Sequence, residues 1–337
     1  MFSLTLPRLV PLATSVLCVV LVGPAGDPPR YVPQEGTSVR RTLEMHGHRE
    51  LAGMKLKVGD KEQEIPGATM TQTSTWKHVI LDEYRTVTKG DVKKLARKYE
   101  TLEKTRSETT KNKDGEDQTN DTTETCDLDG KTVVFTWSDE KKACVPAFDG
   151  EGDAKLLTDL VVSMDYTSLL PEASVGEGET WKGDFDDVRA ALLRPGGDLP
   201  FHGEKEPLPI DRRMRAALWE SMKGEIELKL GKTVVEDGRS LTPITFQGKF
   251  SSDAEVEREG EEKGPDRLHL KDEQTFEGKL TWDLAAGRAA TLEWTAKGQL
   301  SVATEIPVKT RDGGDATLEQ TMTLDEEYEY SVAFETP

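Results

Sequence analysis

The chain has 337 residues, a formal net charge of −19 at pH 7, 32% charged residues and 35% hydrophobic residues. Such an acidic chain lacks the lysine and arginine excess that neutralises nucleic-acid phosphates, so we exclude DNA and RNA as partners. The length suffices for one large β-domain or two smaller ones with a lean apolar core.

Residues 1–25 have the features of a secretory signal peptide. Arg8 is their only charged residue, and it precedes an uncharged apolar run of about 15 residues, which is short for a membrane span. Small residues at Gly23 and Ala25 favour cleavage after Ala25. We predict a secreted or periplasmic protein that has no transmembrane segment after signal removal, with an uncleaved anchor as the alternative. Residues 26–36 would form a flexible N-terminus.

The stretch "EMHGHRE" at residues 44–50 raises the question of a metal site. On a β-strand its period of two puts four possible ligands on one face, namely Glu44, His46, His48 and Glu50. The neutral imidazoles of His46 and His48 could share a zinc, copper or nickel ion. The opposite face carries core residues, so the alternative is an ordinary solvent-facing strand surface.

Residues 37–171 predict an N-terminal β-meander followed by a helix. Residues 92–102 fit either a helix or a strand, because their apolar residues match both periods. Residues 104–124 contain no aliphatic or aromatic residue, which predicts a solvated or disordered loop. A helix is predicted from Asp153, its possible cap, to Met164, because the apolar residues between them form one stripe.

Cys126 and Cys144 remain after signal cleavage, in a compartment that can be oxidising. Local pairing of the segments around them predicts a three-strand meander with the cysteines on its outer strands, about 9.5 Å apart. This separation exceeds the ~7 Å Cα limit for a disulfide, whereas another strand order would permit one. The sequence leaves both possibilities open.

Residues 172–337 predict short helices and then long strands. The helices fit residues 186–194 and 211–223, and after them apolar and polar residues alternate over lengths unusual for a small sandwich. We therefore predict a mainly β protein with a few helices (α+β), in which a long curved antiparallel sheet or open barrel is covered by helices. The C-terminal half would form one continuous domain with the N-terminal half; the alternative is two β-rich subdomains.

Several segments resemble uncharacterised secreted β-rich proteins of planctomycete bacteria. The resemblance is carried by "LDEYRTVTKGDVKKLARKYE", "FEGKLTWDLAAGRAATLEWTAKGQL" and, most specifically, "LLPEASVGEGETW". It implies a strand at residues 92–102 and transfers no catalytic or binding residue.

At the level of fold, the predicted sheet also resembles the open half-barrels of lipid and lipoprotein carriers. That resemblance implies an apolar cavity between the sheet and its helices. Four residues could line this cavity or simply fill the core: Met164, Trp181, Trp282 and Trp294.

The sequence predicts an exported, non-enzymatic protein of the cell envelope without a cofactor. Its two "GKT" triplets lack the glycine that a phosphate-binding loop requires, and no Gly-x-Ser-x-Gly motif is present. The leading hypothesis is a binding module for an apolar small molecule or an envelope protein. The alternatives are a metal-dependent hydrolase that uses His46 and His48, and a structural scaffold protein.

Overall fold

The computed structural model describes most of the chain after the predicted signal peptide, which lies outside the described residues. The described ranges are residues 28–59, 61–111, 115–172, 174–203, 209–257, 266–309 and 315–337.

Strands dominate these ranges. In chain order they are β1 (Ser38–Val58), β2 (Lys61–Glu64), β3 (Met70–Thr88), β4 (Asp91–Lys111), β5 (Asp117–Cys126), β6 (Thr132–Ser138), β7 (Ala143–Phe148), β8 (Thr180–Lys182), β9 (Phe201–His202), β10 (Lys223–Leu230), β11 (Val234–Glu236), β12 (Arg239–Glu257), β13 (Arg267–Asp283), β14 (Arg288–Lys309) and β15 (Asp315–Glu335). The helices are α1 (Phe185–Leu193), α2 (Pro209–Ser221) and two 3-10 helices, Ala154–Leu157 and Thr167–Leu169.

The strands form one antiparallel sheet. Its main path runs β7-β6-β4-β3-β1-β15-β14-β13-β12-β10-β8, and the short or offset strands β2, β5, β9 and β11 attach beside it. The path is open, with β7 and β8 at its two ends. β1 and β15 pair near its middle, where Arg40 lies opposite Glu335, so strands from both halves of the sequence share this sheet. The prediction of a mainly β protein built on a long antiparallel sheet is confirmed.

One face of the sheet carries the core, and we call it the inner face. Its main core contains buried side chains from both halves of the chain, including Leu43, Ile80, Leu280, Leu292 and Val332. The segment from Leu157 to Leu192 lies over this face, and we call it the covering segment. It contributes Leu157, Leu160, Met164, Tyr166, Leu169, Val188 and Leu192. Burial of these apolar side chains is the main stabilising contribution to the fold.

A second apolar cluster lies on the inner face farther along the strands. It consists of Val256, Leu268, Leu270, Leu300, Val302 and Leu324. Met214, Ala217 and Leu218 of α2 pack against this second cluster. The two α-helices therefore cover different parts of one face.

Glycines on the inner face make room for aromatic rings on neighbouring strands. A Cβ atom at Gly278 would lie 2.4 Å from a ring carbon of Phe246, and one at Gly248 would lie 2.5 Å from a ring carbon of Phe276. Such distances are far below van der Waals contact, so larger residues at these two positions would displace the rings.

The loop predicted over residues 104–124 is wrong, because β4 and β5 occupy most of it. Threonine hydroxyls pair between neighbouring strands here: the Oγ1 atoms of Thr75 on β3 and Thr105 on β4 are 2.6 Å apart, and those of Thr109 on β4 and Thr119 on β5 are 3.0 Å apart. Threonine is β-branched and favours strands, yet it adds no apolar alternation to the sequence. A strand that is polar on both faces was therefore mistaken for a loop.

The helix predicted from Asp153 to Met164 is also wrong beyond its first turn. Asp153 does act as a cap, since its Oδ1 accepts a backbone N–H at 3.0 Å, but the helix it begins is the 3-10 helix Ala154–Leu157. Farther on, Leu160 forms an isolated β-bridge with Gly197. Leu157, Leu160 and Met164 of the predicted stripe pack on the main core without an α-helix, whereas Val161 is exposed.

The other helices and the strand at residues 92–102 are confirmed. α1 covers most of the helix predicted over residues 186–194, and Asp184 caps it, with Asp184 Oδ1 accepting the N–H groups of Asp186 and Asp187 at 2.9 and 3.2 Å. α2 covers most of the second predicted helix, and residues 92–102 lie within β4.

The predicted cysteine meander is wrong. β5 and β6 both pair with β4, one after the other, and β7 pairs with β6. Cys126 ends β5, Cys144 lies in β7, and both are free thiols in this structure. Burial raises the pKa of Cys126 to about 11 and also raises the pKa of Cys144.

Residues 28–36 belong to the segment predicted to be flexible. They run along one end of the sheet, where the N–H of Val32 donates to the carbonyl of Gly287 at 2.8 Å and the N–H of Gly36 donates to the carbonyl of Tyr84 at 2.8 Å. This N-terminal segment therefore contacts strands from both halves of the chain.

Candidate functional site

The predicted metal ligands His46 and His48 lie on the outer face of β1, and both are exposed. Glu329 and Glu327 of β15 are their neighbours across the strand pair. Among the described residues, no three His, Cys, Asp or Glu side chains are grouped as a metal ion requires. The metal site stays a prediction.

The four residues that could line a cavity lie in or beside the main core. Trp282 is completely buried, Met164 and Trp294 are nearly so, and Trp181 packs partly buried at the edge of the core. The structure thus brings them to the covered part of the inner face. The cavity itself stays a prediction.

Three charged side chains are buried at one end of the main core. Arg97 and Asp82 are 0% exposed, and Arg41 is 2% exposed. Arg97 donates to both carboxylate oxygens of Asp82 at 2.8 and 3.0 Å, and Arg41 also donates to Oδ2. Burial alone would raise the pKa of Asp82, but attraction to the two guanidinium groups outweighs it and lowers the pKa. Together with Tyr84, these residues form what we call the Arg41 site.

The Arg41 site holds the covering segment against the sheet through hydrogen bonds. Arg97 donates to the backbone carbonyls of Val161 and Val162 at 3.0 and 2.8 Å. Arg41 Nη2 donates to the hydroxyl of Tyr84 at 3.1 Å. Hydrogen bonds from charged donors are stronger than neutral ones, so this site fixes the backbone at Val161 and Val162.

A second polar site lies on the inner face between the main core and the second cluster. Arg49 donates to the Tyr328 hydroxyl at 2.8 and 3.1 Å and forms an ion pair with Glu326 at 2.5 Å. The side-chain amide of Gln274 donates to Glu326 at 2.8 Å and to Asp272 at 2.9 Å. We call these five residues the Arg49 site.

Two carboxyl groups share one guanidinium in the Arg49 site. Burial raises the pKa of Glu326 and of Asp272, and attraction to Arg49 only partly opposes the rise. Within the described ranges, Ser252 Oγ and Gln274 Oε1 are buried without a hydrogen-bond partner. The Arg49 site is therefore a polar layer between two apolar clusters.

Beyond the Arg49 site the inner face becomes apolar again, and part of it is open. α2 covers the second cluster on the β12 side, whereas toward the ends of β1, β14 and β15 several apolar side chains are only partly buried. These residues form what we call the open apolar strip: Met54, Leu56, Ile306, Leu318 and Met322. The strand register places Met54 opposite Met322 and Leu318 opposite Ile306, and the polar residues Gln320 and Thr304 lie between these two pairs on the same face.

His78 is a buried base on the inner face. Its ring stacks between Trp76 and Phe201, at centroid distances of 6.3 and 5.6 Å. Burial, with a smaller contribution from nearby Lys104, lowers the pKa of His78 to about 4. His78 is therefore neutral at pH 7.

An exposed histidine forms an arrangement that superficially resembles a catalytic triad. His202 Nε2 lies 3.0 Å from Asp127 Oδ1, and His202 Nδ1 lies 3.2 Å from Thr125 Oγ1. About half of the His202 and Asp127 side chains is exposed, at 48% and 55%. Because water reaches both, this arrangement lacks the excluded environment that activates a hydroxyl nucleophile.

Sequence reasoning missed both arginine sites, although a signal for them exists. Arg41 stands between the core residues Val39 and Leu43 on the face assigned to the core, where an arginine is unexpected. Asp82 and Tyr84, two residues apart, must share a face of β3. A charged residue in an apolar alternation indicates a buried partner, but it does not identify that partner.

No protein-family model matches this sequence, and the search among curated proteins gave no match. Among solved structures, an outer membrane channel from Pseudomonas putida F1 is 9% identical, with 92% of this chain and 99% of that chain covered and a TM-score of 0.23. The secretin-domain β-barrel of InvG from the Salmonella SPI-1 injectisome is 6% identical, with 89% and 63% covered and a TM-score of 0.15.

The secretin PilQ of the V. cholerae type IV competence pilus is 10% identical, with 89% of this chain and 60% of that chain covered and a TM-score of 0.13. TM-scores as low as these do not indicate a shared fold or a shared function. In the described part of the chain, neither helix has the length and apolar character needed to cross a bilayer.

Proposed function

We propose that this chain is an exported, non-enzymatic binding protein of the cell envelope that holds an apolar ligand on the open apolar strip. The observation that carries the proposal is the strip itself. It continues the inner face beyond the Arg49 site, where its methionine, leucine and isoleucine side chains remain partly exposed.

The chemistry of the strip favours an apolar, flexible ligand such as an acyl chain. Covering apolar surface contributes roughly 25 cal/mol per Å². Met54 and Met322 supply adaptable, polarisable contacts that suit a ligand without a fixed shape. α2 packs on the second cluster next to β12 and is held by a hydrogen bond from Arg213 Nη1 to the carbonyl of Glu257 at 2.8 Å.

Export is supported by the signal-like residues 1–25, and a non-enzymatic role by the polar sites. The Arg41 and Arg49 sites are internal networks on the inner face, and the exposed His202 arrangement is accessible to water. We therefore assign the polar sites to positioning the sheet and its cover, and the binding role to the apolar strip.

Native mass spectrometry of the protein purified from its own envelope, before and after organic extraction, tests the proposal. We expect an excess mass that extraction removes. The variant Met322→Asp should lose this mass, because a carboxylate on the strip would have to be desolvated by the ligand. The matched control Thr321→Asp places the same charge on the opposite face of β15 and should retain it. A bare-chain mass in the wild type, or equal retention in both variants, would contradict the proposal.

A further inference from the structure

We infer that the Arg41 site binds one small monovalent anion, held by Arg41, Tyr84 and Arg288. The first reason is its charge. Two buried guanidinium groups, Arg41 and Arg97, face one buried carboxylate, Asp82. An uncompensated buried charge is unfavourable, and one anion would neutralise it.

Aromatic and backbone contacts moderate the excess positive charge without cancelling it. The guanidinium of Arg97 lies 5.1 Å from the ring centroid of Phe135, and that of Arg41 lies 5.6 Å from the centroid of Phe334. Cation–π contacts and carbonyl dipoles stabilise a guanidinium while leaving its charge in place. The site therefore retains an attraction for an anion.

The second reason is an excess of hydrogen-bond donors. Among the described residues, Arg41 Nε and Arg288 Nη1 are buried without an acceptor. The Tyr84 hydroxyl accepts from Arg41 Nη2 and from the Tyr31 hydroxyl, both at 3.1 Å. A tyrosine hydroxyl has two acceptor lone pairs and one hydrogen, so the hydrogen of Tyr84 is left to donate. Three donors thus lack an acceptor, which is the pattern that an anion satisfies.

Arg288 belongs to this group by position. It begins β14 and donates to Thr336 Oγ1 at 2.5 Å, beside the end of β15. Burial lowers the pKa of Arg288, attraction to Tyr84 opposes that change, and repulsion from Arg41 adds to it. The neighbouring carboxylate Asp283 is already occupied by Arg239 at 2.7 Å. Arg41 thus pairs with Asp82, Arg288 forms no direct ion pair among the described residues, and the two guanidinium groups repel each other.

The N-terminal segment limits the size of the anion. Tyr31 lies over Tyr84, and the adjacent Val32 is hydrogen-bonded to Gly287, immediately before Arg288. The segment thus spans from β3 to β14 across the site. A covered site with an excess of positive charge fits a small ion of the size of chloride or nitrate, and disfavours bulky anions.

Thermal unfolding in sodium chloride and in sodium gluconate, at equal ionic strength and pH 7, tests this inference. Equal ionic strength keeps general screening the same, so only specific binding distinguishes the two salts. Because a ligand of the folded state raises the Tm, we expect a Tm roughly 3 to 6 °C higher in chloride. Chloride-35 NMR of the same samples should show line broadening from bound chloride.

Variants separate the anion site from general salt effects. Arg288→Met should abolish both the chloride-dependent Tm difference and the line broadening, and Tyr84→Phe should reduce both. The control Arg40→Met removes an arginine from the outer face of β1, where it pairs with Glu100 at 3.0 Å, and should leave both effects intact. Equal Tm values in the two salts, or an unchanged chloride effect in Arg288→Met, would overturn the inference.

Discussion

Arg41 and Arg49 occupy the same face of the same strand, and each meets a carboxylate and a tyrosine two residues apart on an adjacent strand. The two sites nevertheless have opposite charge balances. Two guanidinium groups share Asp82 in the first, whereas Glu326 shares one guanidinium with a second carboxyl group in the second.

Burial alone does not determine the ionisation of a carboxyl group in these two sites. Asp82 is the more deeply buried carboxylate, yet its pKa is lowered, while the pKa of Glu326 is raised. The number of opposite charges in contact outweighs desolvation in one site and does not in the other. We therefore expect the same kind of substitution to have very different effects in the two sites.

The largest effect is expected for Asp82→Asn. The substitution leaves two buried guanidinium groups without a carboxylate and should lower the free energy of unfolding by about 3–5 kcal/mol. Urea denaturation at pH 7 measures this loss. The control Glu326→Gln should cost less than about 1 kcal/mol, because Arg49 is partly exposed and can be solvated. Equal losses in the two variants would refute the comparison.

His78 is a third buried titratable group, and it is a base without an opposite charge beside it. The pKa of His78 is about 4 in the folded protein and about 6.5 when unfolded, so the unfolded state takes up the proton first as the pH falls. The stability from keeping His78 neutral is fully present above pH 6.5 and is lost between pH 6.5 and 4, at a cost of roughly 3 kcal/mol.

His78→Leu should therefore show a flatter stability profile than the wild type between pH 6.5 and 4, measured by urea denaturation at each pH. The control His46→Leu removes an exposed histidine and should keep the wild-type slope. A wild-type slope in His78→Leu would assign the acid sensitivity to other groups.

The smallest effect concerns the sign of the pH dependence in the Arg49 site. Since the folded pKa of Glu326 lies above its unfolded value, its stabilising contribution is present below the unfolded pKa and is lost as the pH rises through the folded pKa. Glu326→Gln cannot ionise, so the variant should gain stability relative to the wild type on going from pH 4 to pH 7. A loss of stability relative to the wild type between pH 4 and pH 7 would mean that the ion pair of Glu326 with Arg49 outweighs the burial of Glu326.

Features governed by local periodicity could be predicted from the sequence. Val39 and Leu43 alternate with polar residues and are buried, and the helix predicted over residues 186–194 is present as α1. These features depend on neighbouring residues in the chain, whose effects a single sequence displays.

Features governed by distant partners could not be predicted. Arg41 is buried because Asp82 lies on the adjacent strand, and the backbone at Val161 and Val162 is held where Arg97 binds its carbonyls. For the same reason, the open apolar strip required knowledge of which part of the inner face α2 covers. A local sequence pattern does not identify the distant partner in any of these cases.

The pairing of β1 with β15 also affects how the protein folds during its synthesis. Arg40 meets Glu335 and Val58 meets Leu318, so the middle of the sheet joins segments separated by most of the chain. Contacts at such sequence separation form slowly, and they form only after β15 has been synthesised. Until then β1 and β14 each lack a neighbour and expose backbone edges, the condition in which strands of different molecules associate. Removal of β15 should therefore yield aggregates rather than a shorter folded protein.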